Sequence, residues 1–143
     1  MDLTDKIFNI KNINYEEYIK RAILKTKKEL RGLQIDRMCL IYSSYLYKNL
    51  LDYHLLAHII DTQDLGFSFC HRFVLVYDGQ DYYLLDLTYS QFLKKETMFF
   101  KLLSDGYQKI NNQEFNYYLK SVLPNEFIKE DLNNVFIFSN KKL

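Results

Sequence analysis

The chain has 143 residues, 48% of them hydrophobic, a length and composition that fit one globular domain spanning residues 1–143. Its 19 Lys and Arg against 18 Asp and Glu leave a net charge of +1, so no strong field recruits nucleic acid or an anionic membrane. Two cysteines make no disulfide framework, and no run of about 18 apolar residues is present to span a bilayer.

Met1-Asp2-Leu3-Thr4-Asp5-Lys6 lacks the apolar core of a signal peptide. A cytosolic, reduced location is the default expectation, and delivery as a secreted effector without a cleavable signal stays open. Residues 1–13 read as an irregular arm. From Asn14 the pattern turns helical, with Tyr15, Tyr18, Ile19, Ala22, Ile23 and Leu30 at three- and four-residue steps. Glu16 and Glu17 come early and Lys25, Lys27, Lys28 and Arg31 late, as a helix dipole favours, and Gly32 is a C-terminal stop.

A second helix is expected from Ile35 or Asp36 to Asp52, with Asp36 as N-cap. Cys39 then lies in its first turn, on a stripe with Ser43, Leu46 and Leu50, and Ile41 and Tyr45 widen the apolar face. His54 to Ile60 reads as a strand, Thr62 to Gly66 as a loop, and Phe69 to Tyr77 as a second strand. Asp78-Gly79 signals a hairpin, and Tyr82 to Thr88 returns. If Tyr77 faces Tyr82, then Phe73 faces Asp86, and His71 and Asp86 are diagonal neighbours on one face. Beyond Phe92, a short helix over Glu96 to Leu103, a break at Gly106, a helix from Gln113 to Val122 ended by Pro124, and a last edge strand over Val135 to Phe138 are expected.

Three residues in this frame carry chemistry. A thiol reacts as thiolate, and a helix N-terminus favours that anion, so Cys39 is the candidate nucleophile. His71 is the candidate base, because a carboxylate on the same face can hold one ring nitrogen while the other meets the thiol. Asp86 sits between Leu84-Leu85 and Leu87, and a buried carboxylate needs a partner, for which His71 is the best placed. Cys70 alternates away from His71 and reads as core. His54 and His58 share a strand face, but three histidines without a dense cysteine or carboxylate set give no zinc spacing. No metal and no cofactor is expected. GxGxxG, P-loop and HExxH motifs are absent from the sequence.

Cys39 on a helix, His71 opening a strand, and Asp86 in Leu84-Leu85-Asp86-Leu87-Thr88-Tyr89-Ser90-Gln91-Phe92 resemble the transglutaminase-like branch of the papain-like cysteine enzymes, small bacterial members in particular. The resemblance covers roughly residues 36 to 92. It implies an α+β fold, with an N-terminal helical part packed on an antiparallel sheet in a papain/transglutaminase-like core. It also implies a catalytic triad of Cys39, His71 and Asp86, and an oxyanion role for Gln34 beside backbone N–H groups at Cys39. The implied activity is thioester acyl transfer on a protein or peptide amide, as hydrolase or acyltransferase, with glutamine deamidation or transamidation placed first. A leader peptidase of lasso-peptide type, working with a separate leader-binding partner that presents the substrate, is the alternative. So is a non-catalytic protein-interaction domain on the same fold.

Overall fold

Helix α1 (Tyr15–Glu29) forms where its cap and its charges agree. Asn14 accepts the Glu17 N–H at 3.3 Å, acidic residues fill the first turn and basic residues the last. Ile19, Ala22, Ile23 and Thr26 are its buried stripe. This is a computed structural model, and it describes residues 14–93 and 98–142. The expected N-terminal arm, and the start of the expected helix at Glu96, lie outside those residues.

Helix α2 (Cys39–Asp52) begins later than expected. Arg37 adopts φ 60, a left-handed conformation that cannot sit inside a right-handed helix, so the helix starts beyond it. Met38, not Asp36, occupies the N-cap and gives no side-chain bond. Cys39 is thereby the first helical residue. Tyr42, Ser43, Leu46, Asn49 and Leu50 are buried, whereas Ile41 and Tyr45 stay exposed. Asn49 joins the two helices by donating to Thr26 Oγ1 at 2.9 Å and Glu29 Oε1 at 2.7 Å.

Strands β1 (Leu56–Asp61), β2 (Arg72–Tyr77), β3 (Tyr82–Leu85) and β4 (Tyr107–Ile110) form an antiparallel sheet in the order β1-β2-β3-β4. His54 is not part of β1: it is exposed at φ 60, just after the α2 C-cap Tyr53. Asp78 shapes the β2–β3 turn by accepting the N–H groups of Gln80 and Asp81 at 2.8 and 2.7 Å. The Tyr77–Tyr82 pairing follows, as the sequence predicts.

Helices cover both faces of the sheet. Ala57, Val74, Val76, Tyr83, Leu85 and Tyr107 pack with α1 and α2. Ile60, Phe73, Leu75, Leu84 and Ile110 pack with Leu102 of α3 (Phe100–Asp105), α4 (Asn112–Val122) and α5 (Leu132–Lys142). That is why β2 is buried almost end to end. Gly106 closes α3 at φ 85, where a Cβ would lie 2.6 Å from Leu87 Cδ2. Its carbonyl accepts the Asp86 N–H at 3.1 Å.

Helix α4 opens on a reciprocal capping box between Asn111 and Glu114 and stops at Leu123, before Pro124. The expected edge strand over Val135 to Phe138 is instead helical, inside α5. Asp131 Oδ1 accepts the N–H groups of Asn133 and Asn134 at 2.9 and 3.3 Å, which caps the first turn and commits the apolar run to helix. The outer edge of the sheet beside β3 belongs to β4, a strand not anticipated. The fold is α+β, with an N-terminal helical part on a four-stranded antiparallel sheet. Among the described residues no helix is long and apolar enough to cross a membrane.

Candidate active site

His71 sits one residue before β2, and Thr62 fixes its backbone. Thr62 Oγ1 accepts the His71 N–H at 2.8 Å and donates to the Phe69 carbonyl at 2.5 Å. Strand alternation then turns the His71 ring to the face of Phe73 and Leu75. Asp86 lies one residue past β3. Because Val74 pairs with Leu85, the next step along the ladder sets Asp86 opposite Phe73, on the same face as His71. His71 Nε2 and Asp86 Oδ2 are 2.6 Å apart, and each side chain is 1% exposed.

The carboxylate of Asp86 has donors on both oxygens. Oδ1 accepts the Thr88 N–H at 3.0 Å and the Thr88 hydroxyl at 3.1 Å. Oδ2 faces His71 and also accepts the Tyr118 hydroxyl at 2.7 Å, from α4. A buried charge is tolerable when it is paired and bonded in this way. Phe92 meets the imidazole edge-on, with centroids 4.9 Å apart at 82°.

With Nε2 engaged by Asp86, the other ring nitrogen is left to interact with Cys39, whose half-buried thiol has its pKa set chiefly by His71. His71 is the chief reason the thiol is shifted below its ordinary pKa of 9.0, because its ring favours the thiolate. Burial opposes it, and the Arg72 backbone N–H and the charge of His71 reinforce it. His71 moves the other way. Burial is the largest single influence and disfavours its charge, but the Asp86 carboxylate, its bond to the ring and the influence of Cys39 together push it up to about 9. An acid moved down beside a base moved up favours a thiolate–imidazolium pair.

No family model, curated protein or solved structure matches the chain.

The other singled-out residues do not bond His71 or Asp86 through their side chains. Gln34 is exposed in the connection from α1 to α2, upstream of Cys39. Cys70 is half-buried, with its sulfur 3.6 Å from Asp61 Oδ1; burial, then the Asp61 charge, raises its pKa. Asp61 also holds Arg72 at 2.8 Å, so Arg72 is not the partner of Asp86. His54 is exposed while His58 is buried against Phe136, centroids 4.4 Å apart. Among the described residues no group of three His, Cys, Asp or Glu side chains stands where it could hold a metal.

Tyr118, Thr62 and Thr88 are further residues of this site that the sequence pattern does not single out. Thr88 had a local signal, since Asp-x-Thr builds a side-chain-bonded turn. Thr62 and Tyr118 had none: each reaches the site only through pairings made when the sheet and α4 assemble.

Proposed function

We propose that the chain is a cysteine-dependent acyl-transfer enzyme that acts on a protein or peptide amide through a thioester. The observation that carries this reading is the buried His71–Asp86 pair, closed at 2.6 Å, with the Cys39 thiol at the start of α2 drawn below its ordinary pKa chiefly by His71. It joins a nucleophile at a helix N-terminus, a base and an orienter in the order thiol acyl chemistry needs.

In this mechanism the Cys39 thiolate attacks the amide carbonyl carbon. The tetrahedral oxyanion is held by backbone N–H groups at the start of α2, where the first turn leaves donors free, with Gln34 as a further candidate donor. The carbon–nitrogen bond breaks, and the leaving ammonia or amine takes the proton from imidazolium His71. Water or a second amine then attacks the thioester while His71 takes up its proton, and the thiolate departs. Asp86 stays ionised and keeps the ring oriented.

Glutamine side chains are the first substrate class in this reading, with deamidation or transamidation as the outcome. Leu40 and Phe69, both exposed and next in sequence to Cys39 and to the Cys70-His71 pair, offer apolar contact to a peptide. A free thiolate also suits a reducing compartment. The test is mass spectrometry of a glutamine-rich protein incubated with the purified chain. A gain of about one dalton at a glutamine, abolished by Cys39→Ala, supports deamidation. New termini instead mean peptide cleavage, the leader-peptidase alternative. An unchanged substrate, across a panel offered with and without amines, counts against catalysis and favours an interaction domain.

A further inference from the structure

We propose that Tyr118 is a positioning residue of this site that acts through Asp86: by donating to Oδ2, the oxygen that faces His71, it limits how tightly the carboxylate holds a proton on the imidazole. The inference rests on the reading of Cys39 and His71 as the reacting pair.

The geometry separates what each partner of Asp86 does. Thr88 supplies two donors to Oδ1, from the same turn, and these hold the carboxylate in place. Tyr118 shares Oδ2 with His71, at 2.7 Å against 2.6 Å. Two donors on one oxygen divide its charge, so each bond is weaker than it would be alone. An acid–base catalyst must release its proton as well as take it, and an imidazole bound too tightly to a buried carboxylate is a poor acid toward the leaving amine.

The hydroxyl is not what holds the Tyr118 ring. That ring packs against Phe73 at 4.9 Å, Tyr89 at 5.6 Å and Phe99 at 5.8 Å between centroids, and it is fully buried. Loss of the oxygen alone therefore leaves the packing in place. Burial, then the Asp86 charge, raises the phenol well above its ordinary pKa, so it remains a donor throughout the working range. The titratable groups that face His71 are Cys39 from α2, Asp86 after β3 and Tyr118 from α4. Tyr89 stands behind Tyr118 and bonds Ser121 at 2.9 Å, and Arg72 is turned onto Asp61.

The experiment follows the His71 ring nitrogens by NMR across pH in the full chain, with the signal assigned by its loss in His71→Gln. The intact protein titrates well above 6.5. Tyr118→Phe moves the midpoint up by on the order of half a pH unit, because a charge-assisted bond to Asp86 has been removed. Tyr118→3-fluorotyrosine, placed at this position alone, is a stronger donor in the same packing and moves the midpoint down. This second variant keeps the test decisive if Tyr118→Phe folds poorly. Midpoints that do not move, or that move in the opposite directions, overturn the role of Tyr118. A His71 that titrates at its ordinary value in the intact protein overturns instead the reading of the reacting pair.

Discussion

Thr62 and His71 bond each other twice across the mouth of the β1–β2 loop. The Thr62 hydroxyl accepts the His71 N–H at 2.8 Å, and the Thr62 N–H donates to the His71 carbonyl at 3.0 Å. Thr62 is fully buried. The ring that meets Asp86 is therefore aimed from a backbone fixed at both ends of one residue.

Thr62→Val keeps the shape and removes the hydroxyl. It leaves the His71 N–H and the Phe69 carbonyl without that partner, a loss of roughly 1–3 kcal/mol for buried polar groups. Urea unfolding should show this as a lower midpoint with an unchanged slope. Cys39 alkylation should also slow, because His71 loses its fixed origin. A variant as stable and as reactive as the parent would mean that Thr62 does not aim the histidine.

His58 gives a prediction on the acid side. Its ring is buried beneath Phe136 of α5, and neither nitrogen has a partner among the described residues. Burial lowers its pKa below 6.5. A group depressed in the folded state contributes stability above its unfolded pKa and loses it as pH falls, because the unfolded chain binds the proton more readily. Stability should thus decline as pH drops below about 6.5, and His58→Leu should flatten that decline. The variant should also gain about 1 kcal/mol near neutral pH by removing unsatisfied nitrogens. Parallel pH–stability curves for the two proteins would contradict this.

His71 gives the opposite sign. Its pKa is raised from 6.5 to about 9, chiefly by Asp86 working against burial. A raised base contributes stability that is full below 6.5 and is lost as pH climbs through about 9. In a Cys39→Ser background, which removes the coupled thiol, urea stability should fall between neutral pH and about pH 10. The fall should be smaller once His71→Gln is added. Equal falls in the two proteins would show that Asp86 does not hold the proton on His71.

The part of the site closest to being legible in the sequence was the hairpin. Asp78-Gly79 predicts the turn, the turn sets Tyr77 opposite Tyr82, and alternation then brings His71 to Asp86. Local chemistry and strand period were enough because all of these residues lie within one hairpin and its flanks. Val135-Ile137 with Phe136 and Phe138 went the other way. A four-residue apolar run reads equally as buried helix or strand, and the cap at Asp131 is what decides for helix. Tyr107–Ile110 is too short to show a period, and its place in the sheet comes from pairing with β3. Tyr118 is one of 13 tyrosines, and its meeting with Asp86 spans 32 residues. No local pattern marks it. Helix α2 starts later than the sequence predicts because the left-handed turn falls on Arg37, a residue type that rarely takes that conformation.

The central claim is that Cys39 is an activated thiol paired with His71. The most direct measurement is site-resolved alkylation by iodoacetamide near neutral pH, with Cys70 in the same molecule as the internal comparison. Cys39 is shifted down and Cys70 up in pKa. Cys39 should therefore react at least about ten-fold faster than Cys70, and His71→Ala should remove most of that advantage. A Cys39 that reacts no faster than a simple thiol, and at the same rate with or without His71, would contradict the account.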